Sequence, residues 1–538
     1  MATLNFKGKP LVWNHHLSVP YHQLVPRKDK SLTDKVRLDD NLIIHGDNLK
    51  ALKALLPLYG GKVKCVYIDP PYNTGNEGWV YNDAVNSPMM KEWFGKIVDR
   101  EDLTRHDKWL CMMTPRLKLL KEMLSDDGVI FVSIDENEQH RLCSLMEEIF
   151  PGGHVATFVW TGRSGKGGTV GDVHMNHEYV ECFAKNREMV RFKPTVNIQP
   201  EGNFKDAKGS YTRERLRQWG QGDRREDRPS MYYPIEAPDG TEALPWRPDG
   251  TDGRWRCGEG ATARLRADGD LDFAKDEEGR WAVYRKIRAG QQKFSAADSL
   301  LLDHGSASAG TIELKEIFGK KIFDTAKPTR LLTHLFDLVT WDDESAVILD
   351  AFAGSGSSGQ AVLALNGEAG KRRFILIEEQ EYADAVTAER VRRCLKGVPA
   401  SRDAKLKNGL GGGFSFFDLG DPLTTELLLE GKKLPSFADL ARYVFFAATG
   451  QEFDAKKVSV DTGFIGSAGM KDVFLIYKPN AEFLRTAALT LDIAHSLKSK
   501  PGRRKIVFAP TKYLDQEQLE ELGIDFAQLP YDLYKSLR

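Results

Sequence analysis

Asp69-Pro70-Pro71-Tyr72 is the stretch of this chain whose residue types and spacing most directly imply chemistry. It follows VKCVYI (63–68), a short apolar run of the kind that forms a buried parallel strand, so the tetrapeptide falls at a strand's carboxyl end. Two prolines fix φ, remove two N–H donors and hold the chain extended, which turns carbonyl oxygens outward without ladder partners. Asp69 adds a carboxylate acceptor beside the Pro70 carbonyl, and Tyr72 adds a planar ring. Two acceptors and a stacking face suit an exocyclic amino group on a flat heterocycle, which offers two N–H donors. Such an amine is a poor nucleophile because its lone pair is delocalised into the ring. Accepting hydrogen bonds from both N–H groups favours a pyramidal nitrogen and frees the lone pair for in-line attack, provided the acceptors sit where charge develops. Asp69 is also placed to take the proton lost after transfer. The bland alternative is a rigid turn.

A second motif, DAFAGSGSSG (350–359), stands between a buried strand, AVILDAF (346–352), and a helix opened by small residues. Gly354 and Gly356 let a ligand approach the backbone, and a helix N-terminus favours an anionic group. The loop has no lysine of the phosphate-clamping kind, which disfavours a nucleoside triphosphate. Some twenty residues on, FILI (374–377) ends at Glu378, where an acid at the tip of the neighbouring strand suits a ribose diol. Glu379 follows it, and strand alternation puts the two acids on opposite sides.

One active site needs Asp69 and Gly354 adjacent although they are far apart in sequence. A doubly wound sheet supplies this if their strands are neighbours at its switch point. The patterns agree with such a sheet: TPRLKLLKEMLSDDG (114–128) predicts a helix ending at Gly128, VIFVSI (129–134) a strand, RLCSLMEEIF (141–150) a helix and HEYVECFAK (177–185) a strand. KPTRLLTHLFDLVT (327–340) and SSGQAVLALNG (357–367) predict helices, KRRFILIEE (371–379) a strand and NGLGGGFSFFDLG (408–420) a glycine-rich connection. Between about 190 and 320 periodicity weakens, and Trp219, Trp246, Trp255 and Trp281 lie among Gly, Pro, Asp and Arg, the texture of an inserted, loop-rich module. The last 120 or so residues carry their own helix and strand alternation, including DVFLIYK (472–478) and RKIVFAP (504–510).

The 538 residues are enough for two to four structural units. With 76 Lys+Arg against 77 Asp+Glu, bulk charge argues neither for nor against nucleic acid, so any such contact needs a local basic surface. The 204–228 stretch provides one, with Arg213, Arg215, Arg217, Arg224 and Arg225 around Trp219; a solvated surface is the alternative. Six scattered cysteines without a CxxC pair argue against a structural zinc or a disulfide framework and fit a reducing cytoplasm, and no metal site is expected. No apolar run is long enough for a membrane span, and a secretory signal is not expected. His15-His16 and GLGGGF (409–414) read as structural, and Asp135 as either a helix cap or a border of the base pocket.

DPPYNTG and DAFAGSG together resemble the amino-methyltransferases of DNA that use S-adenosylmethionine. The order, with the DPPY motif first and the glycine motif last, resembles the permuted β class of adenine methyltransferases. The long insert, GDNLKAL (46–52) and the extended C-terminal part resemble the modification (Mod) subunits of type III restriction–modification systems. The resemblance implies a Rossmann-like doubly wound α/β methyltransferase sheet, an inserted target-recognition module and a C-terminal α/β extension. The expected division is 1–40, catalytic half 41–190, insert 191–322, cofactor half 323–400 and C-terminal part 401–538. It implies that Asp69, Pro70, Pro71 and Tyr72 bind and activate the base. Phe352, Gly354 and Gly356 would line the methionine part of the cofactor, Glu378 its ribose and Asp47 its adenine side, with Asp350 and Lys327 flanking it. The implied activity is N6 methylation of a flipped-out adenine in double-stranded DNA, with a homodimer and a restriction (helicase–nuclease) subunit as partners. N4-cytosine methylation and a mainly DNA-directing role are the alternatives; protein-glutamine methylation is disfavoured, since those enzymes resemble Asn at position 69.

Overall fold

The computed structural model describes residues 3–74, 105–162, 173, 175–367, 370–423, 436–449, 454 and 458–529. It divides into two compact units, 1–193 with 298–538, and 194–297.

In the first unit the chain lays down β1 (Tyr21–Pro26), β2 (Leu42–His45), β3 (Val63–Ile68), β4 (Leu124–Ile134), β5 (His154–Trp160) and β6 (Glu178–Ala184). The second unit contains β7 (Thr195–Ile198), β8 (Phe204–Asp206), β9 (Gly209–Arg215), β10 (Ile235–Glu236), β11 (Glu242–Ala243), β12 (Leu271–Lys275), β13 (Trp281–Arg288) and β14 (Gln292–Ser295). The first unit resumes with β15 (Leu300–Leu301), β16 (Val347–Asp350), β17 (Arg373–Glu378) and β18 (Ser415–Leu423), and ends with β19 (Phe464–Ala468), β20 (Lys471–Leu475), β21 (Arg504–Ala509) and β22 (Ile524–Gln528).

Ten strands form the main sheet in the order β1-β18-β2-β17-β16-β3-β4-β6-β5-β15. From β2 to β4 every pairing is parallel, and β6 runs antiparallel to β4 and β5. Parallel strands buried on both faces need near-continuous apolar sequence, and β3, β16 and β17 have it. Alternate residues Ile44, Val66, Ile68, Ile130, Val132, Leu349 and Ile375 share one core with the helices Asn48–Tyr59, Arg105–Met123 and Gln139–Ile149. On the other face Tyr67 meets Phe336 of the helix Thr329–Thr340, which packs on Ser357–Asn366. The sheet is therefore doubly wound. The chain leaves β16 for β17 on one side and β3 for β4 on the other, so the order reverses between β16 and β3, which pair Asp350 with Tyr67. Loops after those strands are where ligands bind in such sheets.

Two elements differ from their sequence patterns. The helix expected over 114–128 runs Arg105–Met123, and β4 starts at Leu124. Gly128 is not a helix stop: it lies in β4 near an irregular register with β3, where a Cβ would come within 2.8 Å of the Val63 carbonyl. Much of the glycine-rich connection is a strand, β18, because Phe414, Phe416 and Phe417 bury into the sheet beside β2.

The C-terminal segment makes its own sheet, β19-β20-β21-β22, parallel from β20 onward and packed against the helix Phe437–Thr449. The second unit is a four-stranded antiparallel sheet, β12-β13-β9-β8, with two further strand pairs and a small core around Leu216, Tyr233, Trp255 and Val283. Among the described residues no helix is long and apolar enough to cross a membrane.

Candidate active site

Asp69, Pro70, Pro71 and Tyr72 follow β3 directly, and their loop is braced from behind. Buried Trp109 donates its indole N–H to the Pro71 carbonyl at 2.6 Å, so one of the two carbonyls expected to face outward is taken by the protein. Asn73 holds a left-handed backbone, φ 58°, and donates to the Arg105 carbonyl at 3.3 Å and to Glu138 Oε1. Glu138 is wholly buried and also meets His106 Nδ1. The bridge ties the exit of the tetrapeptide to the helix Arg105–Met123 and to the turn after β4. Gly75 of DPPYNTG lies outside the described residues. Asp135 is buried and accepts from the backbone N–H (2.9 Å) and side-chain amide (2.8 Å) of Asn137, within its own turn.

The Asp69 side chain meets a lysine whose own side chain is only 9% exposed. Lys327 Nζ donates to both Asp69 carboxylate oxygens at 2.9 Å and to the Tyr72 hydroxyl at 2.7 Å. Glu178 Oε2 lies 3.5 Å from the same ammonium and accepts the Tyr72 O–H at 3.0 Å. The Lys327 nitrogen is also 4.9 Å from the centre of the Tyr72 ring. Burial pushes the Asp69 carboxyl up, and the Lys327 ammonium opposes that rise. The two carboxylates of Asp69 and Glu178 outweigh burial at Lys327 and hold its ammonium above the usual range. Nothing in the pattern of HEYVECFAK marks Glu178 as functional. The available signal is topological: β6 is antiparallel, so its first residue lies at the edge where the parallel strands end.

The glycine loop after β16 spends its polar groups on itself. Gly354 and Gly356 have φ of 51° and 80°, and a Cβ on Gly356 would meet the Thr387 carbonyl at 2.8 Å. Glu378 is buried; its Oε2 accepts the Gly354 N–H at 2.7 Å and its Oε1 the Gln380 N–H at 2.9 Å. Asp350 accepts from the Phe352 N–H at 3.0 Å and from the Ser358 hydroxyl, and burial pushes its carboxyl up to about 7. Fully buried Arg390 reaches Ser357 Oγ at 2.6 Å, Ser355 Oγ at 3.0 Å and Thr329 Oγ1 at 3.3 Å, joining the loop to the segment that carries Lys327. Phe352 is half-buried against the main core.

Asp47 caps the helix Asn48–Tyr59 by accepting the Lys50 N–H at 3.0 Å, with Arg116 at 3.4 Å. Arg116 Nε donates to Asn48 Oδ1 at 2.6 Å, and Asn48 Nδ2 donates to the Ala351 carbonyl at 2.9 Å, which ties this turn to the glycine loop. Glu379 is half-buried; burial and then the nearby Asp47 raise its carboxyl. Asp47, Asp69, Asp350, Glu378 and Glu379 thus crowd one sheet edge. Such an edge repels a polyphosphate and suits the sulfonium and ammonium of S-adenosylmethionine, with an acid beside a ribose diol. The residues present fit that group.

The second unit gathers Arg213, Arg215, Arg217, Trp219, Arg224 and Arg225, in varied roles. Arg213 pairs with Asp272 at 2.6 Å, lying over Phe204, and Arg225 with Asp252 at 2.9 Å. Arg217 is buried, 4.9 Å from the centre of exposed Trp219, which Arg215 also faces at 5.9 Å. Arg224 is exposed. Elsewhere Cys143, His154 and Glu181, distant in sequence, bring potential ligand atoms within 4.8 Å of one another. Glu181 already accepts from Gln139 at 2.7 Å and Thr157 at 2.8 Å.

Residues 63–389 match the family model described as DNA methylase, of the N6/N4 methyltransferase type. The chain is 32% identical over 370 residues to the Mod subunit of the type III restriction–modification enzyme StyLTI of Salmonella typhimurium, covering 66% of this chain and 54% of that one. It is 30% identical over 421 residues to the EcoPI Mod subunit of Escherichia phage P1, covering 70% and 64%. It is 30% identical over 349 residues to the type II methyltransferase M.KpnI of Klebsiella pneumoniae, covering 62% and 79%. The match thus spans less than two thirds of the length of either Mod subunit.

Proposed function

The chain belongs to the N6/N4 DNA methylase family, and from that premise we propose that it methylates the exocyclic N6 amine of an adenine in double-stranded DNA, using S-adenosylmethionine, as the modification component of a restriction–modification system. The observation that carries this reading is the adjacency of β3 and β16: the acceptor loop at Asp69 and the glycine loop at Gly354 leave neighbouring parallel strands on the same edge.

When bound, S-adenosylmethionine supplies a methyl group whose bond to sulfur breaks, leaving the electron pair on sulfur, as the amine nitrogen forms the new C–N bond. The chain's own residues prepare the nitrogen. Asp69 and the Pro70 carbonyl accept its two N–H bonds and draw its lone pair out of conjugation. The loop does not reorganise as charge develops, because Trp109 and Asn73 brace it. Tyr72 offers its ring to the base while its hydroxyl is tethered to Glu178. Asp69 takes the proton that the nitrogen loses. Phe352, Gly354 and Gly356 would line the cofactor's methionine part, Glu378 its ribose, and Asp47 its adenine side. An adenine target is favoured over cytosine by Asp69, since a serine at this position is commoner among cytosine enzymes. Arg215, Trp219 and Arg224 are the strongest candidates for DNA contact in the second unit, because Arg213, Arg217 and Arg225 are occupied within it. A homodimer that docks a restriction subunit completes the reading; light scattering of the full chain tests it, and a monomer that methylates at low concentration removes the dimer.

Transfer of tritium from methyl-labelled S-adenosylmethionine into duplex DNA tests the activity itself. Label in nuclease-released nucleosides is expected, and DNA that stays unlabelled while the chain binds the cofactor overturns the reading.

A further inference from the structure

Lys327 is a charged side chain sunk among the acceptors that the proposed function gives to the target amine. Its position is built in. The would-be Cβ of Gly310, in the helix Ala307–Phe318, lies 2.0 Å from the Ala326 carbonyl oxygen, so only a glycine there lets the Ala326–Lys327 backbone approach. Glu313 of the same helix accepts from the Thr329 N–H at 3.1 Å and its hydroxyl at 2.8 Å. From this fixed stem the ammonium touches Asp69 and Tyr72 and approaches Glu178.

An ammonium is a tetrahedral cationic nitrogen with N–H donors. An aromatic amine becomes one as its lone pair forms a bond to carbon. A cradle of two carboxylates and a tyrosine that holds the first is complementary to the second. Resting on the function proposed above, we propose that Lys327 is the resident cation of the amine cradle and the positioning residue that keeps Asp69 an unprotonated acceptor, and that the entering amine displaces its ammonium toward Glu178, the positioning residue that receives it.

The charge count supports this. Asp69 faces Glu178 from β6, Lys327, Tyr72, Tyr67 of its own strand and Asp350 of β16, and Lys327 supplies the cation in that set. Without it, burial and the neighbouring Glu178 favour a proton on Asp69, and a protonated carboxyl presents an O–H to the amine on one of its oxygens. Glu178 gives the displaced ammonium a second carboxylate, so the lysine is not left buried and unpaired.

The test compares wild type, Lys327→Met, Glu178→Gln and the double variant by the pH dependence of single-turnover methyl transfer to duplex DNA. Cofactor affinity is measured by calorimetry alongside. Lys327→Met should move the acid limb up by a pH unit or more, cut transfer at pH 7 at least tenfold, and recover to within about threefold of wild type at pH 9. Its KM for DNA at pH 9 should fall, since no cation has to be expelled, whereas Glu178→Gln should raise it. Adding Glu178→Gln to Lys327→Met should return the limb toward wild type. Cofactor affinity should stay within about twofold throughout. Loss of rate uniform across pH, or a tenfold loss of cofactor affinity with an unmoved limb, overturns the proposal in favour of a scaffold or a cofactor clamp. A carboxyl-carbon NMR titration of Asp69, assigned by Asp69→Asn, reads the same shift with no DNA or cofactor present. The proposal therefore stands or falls even if wild type labels no DNA, which would instead sink the assigned function.

Discussion

β3 and β16 lie side by side, and the loops that leave them are built on opposite plans. The loop after β3 is made rigid by prolines and by contacts behind it, from Trp109 and Glu138, while its Asp69 carboxylate meets side chains, Lys327 foremost. The loop after β16 is made of glycines and small residues, and the acids around it, Asp350 and Glu378, are bound to its backbone. The first keeps its polar atoms exchangeable; the second uses them to set a backbone shape. The first loop thus owes its stiffness to two prolines and the bracing behind them, and the second owes its shape to hydrogen bonds from acids at the strand tips.

Removing Asp69 should break this division most severely. Asp69→Ala is expected to lower methyl transfer about 10²-fold or more, the usual cost of losing one such acceptor, while cofactor affinity by calorimetry stays within about twofold. Equal loss of both would mean that the two loops are not separate devices. Gly354→Val addresses the other loop: a β-branched residue at φ 51° is strained whatever space surrounds it. Cofactor affinity should fall more than tenfold with the fold retained by circular dichroism, and unchanged affinity would leave that loop purely structural.

How far these loops could be read in advance differs for the same reason. DPPY and GSG carry their conformations in proline and glycine, which constrain the backbone whatever surrounds them, so both were legible from local sequence, as were the parallel strands that lead into them. The position of Lys327 was not. KP reads only as the start of a helix, and the resemblance put Lys327 on the cofactor side. Its contact with Asp69 depends on a 258-residue separation closed by the sheet order. Glu178 and Arg116 stayed hidden likewise, being ordinary residues until β6 turns antiparallel and the helix Arg105–Met123 packs on the sheet. In the second unit arginines were legible as a group, yet their ion pairs with Asp272 and Asp252, which decide which of them stay available, were not.

A finer comparison separates the two acids at the tip of β17. Glu378→Gln should lower Tm, because one of its oxygens becomes an amide facing a backbone N–H, and should weaken cofactor binding about tenfold. Glu379→Gln should weaken it no more than about threefold. The reverse ranking would assign the ribose to Glu379.

The smallest effect concerns Asp350. Its carboxyl titrates near 7 in the folded protein and near 3.8 when unfolded, so between those values the folded state binds the extra proton. Stability from this group is therefore lost as pH rises from about 4 to about 7. Asp350→Asn keeps an acceptor for the Phe352 N–H, reverses the Ser358 bond so that the amide donates to the hydroxyl oxygen, and removes the titration. The fall in Tm between pH 5 and pH 8 should flatten, and an unaltered slope would show that Asp350 titrates normally.

The central claim is that the cradle at Asp69 serves the N6 amine of adenine. Mass spectrometry of nucleosides from duplex DNA incubated with the full chain and methyl-labelled S-adenosylmethionine tests it most directly. The expected product is labelled N6-methyldeoxyadenosine, absent from the Asp69→Ala reaction. Labelled N4-methyldeoxycytidine, or label that persists without Asp69, would contradict it.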